Sequence, residues 1–311
     1  MKGLIMRTTG SWYNVRSEED GTLLKCRLRG KFKIVLDEKK TTNPIAVGDL
    51  VEWEWENKNE NTGLITDIFP RENYIIRKSV HKKTAHSHIL AANIDQAIII
   101  ATLAYPRTSL GFIDRFLVTA ESYDIPAKIV FNKIDLLEED GMAILEELKN
   151  TYNPLNYECF FTSTVTGEGI EVFQNLLKGK ISLLSGHSGV GKTSLVNTIA
   201  PNLNLPTQEV SDFAEKGVHT TTFAEMFELE PETFIIDAPG IKELGLIEME
   251  KKEIHHFFPE MSSRFGQCKY YNCLHLNEPD CAILQAVENN EIAASRYLSY
   301  LSMMEGEDNR R

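Results

Sequence analysis

The sequence predicts a chain of three parts: an all-β N-terminal barrel, a central α/β domain on a mostly parallel sheet, and a mainly α C-terminal segment organised around a cysteine cluster. Three observations carry this prediction. Residues 1–80 hold short runs of alternating character separated by turn signals at SEEDG (17–21), TTNP (41–44), VGD (47–49) and ENKNENTG (56–63). From about Asn93, apolar strands alternate with helical segments. Cys268, Cys273 and Cys281 then fall close together, with His275 among them.

Composition sets the outer limits. With 311 residues the chain has room for two or three domains, each with its own core. Its 42% hydrophobic and 25% charged content is that of a soluble globular protein. The most apolar stretch, AIIIATLAY at 97–105, is too short to span a membrane and reads as a buried strand. The start MKGLIMRTTG has no apolar signal core, so a cytoplasmic location without membrane attachment is expected. The net charge of −12 argues against a nucleic-acid partner, but the charge is segregated. Residues 1–88 hold sixteen basic and twelve acidic residues; the rest hold seventeen basic and thirty-three acidic ones.

The first part, taken as residues 1–85, fits a five-stranded OB barrel in size and β content. In KCRLRGKFK (25–33), Lys25, Arg27, Arg29, Lys31 and Lys33 recur at every second residue. On a strand they share one face, while Cys26, Leu28 and Phe32 point into the core. Such a stripe fits either a surface that tracks an RNA backbone or a plain solvated face. The basic stretch RKSVHKKTAHSH (77–88) and the aromatics Trp12, Tyr13, Trp53 and Trp55 favour RNA, although at least half of those rings are expected in the core. Cys26 and Cys159 stand alone and read as reduced core residues.

In the second part, 90–247, DQAIIIATLAY is a continuous apolar strand. SLGFIDRFLVTAESYD (109–124) predicts a helix capped by Ser109. A strand AKIVFNKID (127–135), a helix near 138–152, a strand YECFFTS and a helix from Gly169 to about Leu177 follow. KISLLSG (180–186) is a strand running into a glycine-rich loop and a helix, 192–200, that Pro201 ends. TFIIDAPG (233–240) is a last strand with a polar tip. In such sheets the ligand loops lie at the carboxyl ends of the strands.

The glycine-rich loop is GHSGVGKTS (186–194), which fits the phosphate-loop pattern with a strand before it and a helix after it. Backbone N–H groups from Gly186, His187, Ser188, Gly189, Val190 and Gly191 through Ser194 form a nest for phosphates. Lys192 is expected to reach the β- and γ-phosphates, and Thr193 to ligate Mg²⁺ through its hydroxyl. The guanine reader that usually lies downstream, N-K-x-D, is absent there; FNKID (131–135) stands upstream. Asp135 can accept two hydrogen bonds from guanine N1 and N2, a pair that adenine lacks. Asn132 can bond the other edge of the base, and the stem of Lys133 can cover its ring. TSTVTGEG (162–169) places Ser163 and Thr164 to close the base pocket. Downstream, GVHTTT (217–222) offers threonines for Mg²⁺, with Thr221 favoured over Thr220 and Thr222. In DAPG (237–240), Asp237 is expected to hold Mg²⁺ through water and the Gly240 N–H to sense the γ-phosphate. Base-reading parts preceding phosphate-reading parts imply a circular permutation of one sheet.

In the third part, 248–311, the pattern C-x4-C-x-H-x5-C supplies three thiolates and an imidazole: Cys268, Cys273, His275 and Cys281. Four such ligands suit one closed, tetrahedral, structural Zn²⁺. His255 and His256 are then surplus. A late helical segment around Ala282–Leu301 and a charged tail, EGEDNRR, complete the chain.

The motif order N-K-I-D, G-x-S-G-V-G-K-T-S, G-x-H-T-T-T, D-A-P-G resembles that of the circularly permuted GTPases of the RsgA/YjeQ family. The resemblance implies a GTPase that hydrolyses GTP to GDP in late assembly of the small (30S) ribosomal subunit. It also implies rRNA contacts through the barrel and the zinc domain, and a monomer. It gives His219 a role in positioning the attacking water, which matters because Ile241 occupies the place where many GTPases carry a glutamine. A neutral imidazole there can accept a bond from water; the alternative reading is a plain loop histidine. Slow turnover in the free protein, with the subunit ordering residues 205–222, is the expectation. Two other classes remain open: a nucleic-acid-binding module that holds nucleotide without turnover, and an ATP-using metabolic enzyme.

Overall fold

The computed structural model describes residues 1–29, 44–78, 87–205, 224–237 and 249–306. The chain divides into two compact units. Met1–Ala97, Gln174–Ser185 and Thr193–Glu243 form the first; Ile98–Phe173, Gly186–Lys192 and Leu244–Arg311 form the second.

In the first unit, β1 (Lys2–Thr8), β2 (Tyr13–Ser17), β3 (Leu23–Leu28), β4 (Leu50–Asn57) and β5 (Thr62–Ile68) pair in the order β1-β2-β3-β5-β4. A further pairing of β1 with β4 closes the ring. This is the closed five-stranded path of an OB barrel. Alternation decides which side chains go inside. Leu24 and Cys26 of β3 are buried while Leu23, Lys25 and Arg27 are exposed. Ile5, Val15, Cys26, Val51, Trp53 and Ile65 fill the core, and the Trp53 indole donates to the Lys2 carbonyl at 3.1 Å. Burial pushes the Cys26 thiol up to about 12, as befits an inert core residue. Tyr13 and Trp53 belong to this core, whereas Trp12 stays exposed. At the barrel's edge buried Asp49 accepts two 2.6 Å bonds from Arg71 and a third from the Ala46 N–H at 2.8 Å. The strands β6 (Tyr74–Lys78) and β7 (Ser87–Ala92) form a separate antiparallel pair.

The ladder does not stop at the barrel. β12 (Glu225–Glu230) meets β1 antiparallel, with Glu225 opposite Arg7, and β13 (Thr233–Asp237) and β11 (Ile181–Ser185) continue the sheet. Arg16 of β2 grips Glu228 of β12 with two 2.7 Å bonds. β12 has no counterpart among the sequence expectations: only Met226 of its six residues is fully buried, so it shows little alternation.

In the second unit the strand order is β10-β9-β8. β8 is Gln96–Ala101, β9 Ala127–Asn132 and β10 Cys159–Thr162. β9 and β10 run parallel with Asn132 opposite Thr162, so both strands release their loops at one edge. Helices α1 (Leu110–Ser122) and α2 (Glu139–Tyr152) of this unit match the expected positions, as do α3 (Ile170–Leu177) and α4 (Lys192–Ile199), whose residues are divided between the two units. The Ser109 hydroxyl caps α1 by accepting the Phe112 N–H at 3.2 Å.

The late helical segment is two helices, α5 (Ala282–Glu288) and α6 (Ala294–Glu305). Asn289 caps the first, and Asn290 at φ 58° turns the chain, a conformation asparagine tolerates better than most residues. Both pack with Val118 of α1, Ile254, Phe258 and Met261 into one core. Within it lies Arg296, 1% exposed, bonded to Asp114 of α1 at 2.7 Å and to both Glu260 carboxylate oxygens at 2.7 and 3.2 Å. Tyr152 of α2 donates to the same Asp114 oxygen at 2.7 Å. A buried guanidinium held this way is costly to strip of its partners.

Candidate nucleotide site and metal centre

After β11 the chain turns through Gly186–Gly191 and enters α4 at Lys192. Gly191 sits at φ 94°, and a Cβ there would lie 2.4 Å from Asn132 Nδ2. Only glycine lets the two segments approach this closely. The Asn132 amide uses that approach: Nδ2 donates to the Val190 carbonyl at 2.8 Å, and Oδ1 accepts from the Thr162 hydroxyl at 3.0 Å. Asn132 and Thr162 are buried, so these bonds are sheltered from water. The N-K-I-D segment and the phosphate loop thus meet through a side chain expected to bond the base. One N–H of its amide and the amide oxygen tie the two segments together, and the second N–H is a further donor.

The neighbouring residues complete a base-reading edge. Lys133 adopts a left-handed backbone at φ 63°, a conformation that costs about 1 kcal/mol or more in a residue with a side chain. Its ammonium donates to the Tyr105 carbonyl at 2.9 Å, which stretches the stem along the loop. Asp135 is exposed, and its Oδ1 accepts from the Ser163 hydroxyl at 2.5 Å. The Ser163 oxygen in turn accepts the N–H groups of Val165 and Thr166, both at 3.1 Å. Ser163 therefore fixes the carboxylate of Asp135 and the turn beside it together. Thr164, half-buried, follows in that turn.

In the phosphate loop the Lys192 ammonium folds back onto the Gly186 and His187 carbonyls at 2.7 and 2.8 Å. His187 turns its ring onto Phe112 of α1, with centroids 3.9 Å apart. Val190 is fully buried, while Ser188 and Gly189 lie at the surface. Thr193 and Ser194 occupy the first turn of α4. In the first unit β11 and β13 run parallel with Leu183 opposite Ile236, so Asp237 ends β13 at the edge where β11 ends at Ser185. His219, Thr220, Thr221, Thr222, Gly240 and Ile241 lie outside the described residues.

Two cations of the basic stripe are compensated. Arg27 pairs with Glu56, and Arg29 with Glu54 at 2.8 Å, both partners on β4. Lys25 is exposed on the same face; Lys31 and Lys33 lie outside the described residues.

The cysteine cluster forms a compact ligand set. The ligand atoms of Cys268, Cys273, His275 and Cys281 all lie within 4.8 Å of one another. His275 Nδ1 is 3.3 Å from Cys281 Sγ and 3.6 Å from Cys268 Sγ, and those two sulfurs are 3.9 Å apart. A tetrahedron with Zn–S bonds of about 2.3 Å has edges of about 3.8 Å. Burial pushes the Cys273 thiol up to about 12, so a thiolate there calls for a cation beside it. Tyr297 and Tyr300 of α6 donate to the His275 and Leu274 carbonyls at 2.7 and 2.6 Å, fixing the ligand loop on the helix.

Three participants escaped the sequence reading: Thr162, Tyr105 and Phe112. Thr162 was open to detection, because it ends the strand that pairs with the one ending at Asn132. Tyr105 acts through its carbonyl and Phe112 through packing, and neither leaves a motif.

Comparison with known proteins agrees with this geometry. The sequence profile described as RsgA GTPase matches residues 68–247, and that of the RsgA N-terminal domain matches residues 2–65. A protein of Bacteroides fragilis named small ribosomal subunit biogenesis GTPase RsgA is 48% identical over 99% of this chain and 97% of its own length. One of the same name from Cytophaga hutchinsonii is 50% identical over the whole of both chains. Among solved structures, YjeQ from Thermotoga maritima superposes with a TM-score of 0.78 at 35% identity, covering 100% of this chain and 99% of its own. YloQ, described as a circularly permuted GTPase, gives a TM-score of 0.75 at 27% identity over 100% and 96% of the two chains. The upstream N-K-I-D, tied by Asn132 to a later phosphate loop, is therefore the arrangement of a family, and this chain belongs to the RsgA GTPases, enzymes that hydrolyse GTP.

Proposed function

We propose that the protein is a GTP-driven switch in late maturation of the small (30S) ribosomal subunit, released or retained according to the nucleotide it holds. The names of its relatives support the partner, and family membership supports the reaction. The observation that carries the site is the Asn132–Val190 bond, which joins a guanine-type reader to a phosphate loop. Asp135 reads guanine N1 and N2 with its carboxylate pinned by Ser163; Lys133 covers the ring, and Thr164 closes the pocket. The N–H groups of 186–194 and the Lys192 ammonium hold the phosphates once Lys192 leaves its two carbonyls.

Thr193, Asp237 and Thr221 would hold Mg²⁺, with the Gly240 N–H on the γ-phosphate; the ion neutralises charge on the β- and γ-oxygens when bound. His219 orients the attacking water in place of the glutamine that Ile241 replaces. Cys268, Cys273, His275 and Cys281 would hold one structural Zn²⁺, since the donor set is closed and its spacing fits a tetrahedron. The working parts are a barrel (1–85), a permuted GTPase domain (90–247) and a zinc domain (248–311). Barrel and zinc domain grip rRNA, with Lys25, Arg27, Arg29, Lys31 and Lys33 facing phosphates as Glu54 and Glu56 give way. The protein acts as a cytoplasmic monomer; no helix among the described residues is long and apolar enough to cross a membrane.

The function is tested by GTP turnover with and without purified small subunits. Wild type is expected to be stimulated, and His219→Ala to lose most of that stimulation, which amounts to about 10³–10⁵ where a catalytic group is supplied in trans. Equal turnover with and without subunits would refute the switch, and undiminished stimulation in the variant would clear His219. Asp135→Asn is expected to weaken GTP binding by roughly 10²–10⁴-fold and to favour xanthosine triphosphate, whose O2 accepts from the new amide. ATP competing equally in the wild type would contradict the guanine assignment. Purified protein is expected to carry one zinc per chain by elemental analysis. Cys273→Ser should lose the metal and with it the near-ultraviolet dichroism of Tyr297 and Tyr300; a full zinc content in that variant would remove Cys273 from the site.

A further inference from the structure

Helix α1 touches the candidate nucleotide site at its start and packs along its side on α6, the helix that holds the cysteine-cluster loop. At the start, Phe112 stacks on His187 of the phosphate loop at 3.9 Å, the rings inclined by 28°. The turn leading into α1 adds two contacts. Pro106 lies against Gly189, where a Cβ would come within 3.4 Å of its ring, and the Tyr105 carbonyl holds the Lys133 ammonium. That turn is itself braced by the Thr102 N–H donating to the Thr108 hydroxyl at 3.1 Å and the Thr108 N–H donating to the Thr102 carbonyl at 2.8 Å. Two residues past Phe112, Asp114 is fully buried and receives Arg296 from α6 and the Tyr152 hydroxyl on one oxygen, while its other oxygen has no hydrogen-bond partner among the described residues. Arg296 is held on its far side by Glu260 and lies 4.6 Å over the Phe258 ring.

We infer that Arg296 is a positioning residue for the phosphate loop, acting through Asp114 to fix the first turns of α1 and thereby the Phe112 ring that carries His187. The arginine lies on the same helix as Tyr297 and Tyr300, which hold the loop of the metal-ligand set. A displacement of that module moves Asp114, and a helix passes the displacement to Phe112 because residues two apart share one rigid turn. The phosphate loop then loses or gains its lateral support. By reciprocity, nucleotide in the loop stiffens the Arg296 cluster. The inference rests on the reading of 186–194 as a phosphate loop.

The test uses the full-length, metal-loaded protein, with a fluorescent GDP analogue for affinity and amide hydrogen exchange for the loop. Arg296→Lys keeps the charge but loses the fork that spans Asp114 and Glu260. It is expected to weaken GDP by about 3–30-fold, the usual range for a coupling residue without ligand contact. Exchange in 186–192 should quicken while that in 127–132 stays as in the wild type. Phe112→Leu should reproduce both effects, and the double variant should be no worse than the worse single one, because both act on one path. Should Arg296→Lys not fold, Phe112→Leu decides alone through the exchange of 186–192. A folded Arg296→Lys with wild-type affinity and exchange, additive effects in the double variant, or an unchanged loop in Phe112→Leu would overturn the inference. A wild type that binds no guanine nucleotide would instead overturn the reading of the site on which it rests.

Discussion

One buried amide holds the arrangement together. Asn132 ends a strand and spans from Thr162 on the neighbouring strand to Val190 in a loop that comes almost sixty residues later. Because the groups are buried, each bond left unmade would cost about 1–3 kcal/mol, more than a made one returns net. Gly191 is the steric counterpart of that bond, since any side chain there would displace the amide. In the permuted order the base reader and the phosphate cradle come from separate stretches of chain, and a non-covalent bond joins them. The register is kept by side chains at the carboxyl edge of parallel strands, which is where such folds place their ligands.

Much of this was legible from the sequence, for a definite reason. Functional loops in this fold start where apolar strands stop, so FNKID after AKIV and GHSGVGKTS after KISLL announce both strand and site. The cysteine set was legible because its chemistry needs four donors at short spacing. What stayed hidden was contact made without a motif. The Tyr105 carbonyl, the Phe112 ring and the β12 strand are defined by what they face, and a single sequence does not record facing partners. A second task of Asn132 stayed hidden for the same reason. Its residue type suits a base edge, and only the structure shows that the same amide also reaches Val190 and Thr162. The split of the last helical stretch turns on Asn290, whose left-handed backbone interrupts a pattern that is helical on both sides.

Charge tells a similar story. Alternation correctly placed Lys25 and Arg27 on the outside of the barrel and Cys26 inside. It did not show that Glu54 and Glu56 stand within reach of Arg29 and Arg27. Exposed pairs of this kind are weakly held and easily exchanged for phosphate, so a compensated stripe is compatible with RNA contact while limiting unspecific attraction in the free protein. The C-terminal module has the opposite character. It holds one deeply set charge cluster, with Arg296 locked between Asp114 and Glu260, and its ligand loop is strapped by two tyrosines. The barrel is thus arranged for exchangeable contacts and the C-terminal cluster for fixed geometry.

The most direct measurement of the central claim is the affinity of Asn132→Asp for GDP. The exchange keeps size and shape but turns an N–H that faces the Val190 carbonyl into a carboxylate oxygen, setting two acceptors against each other. A loss of about 1–3 kcal/mol, or roughly 5–150-fold in dissociation constant, is predicted with the fold intact. Wild-type affinity in a folded Asn132→Asp protein would contradict the view that this amide joins the two halves of the site.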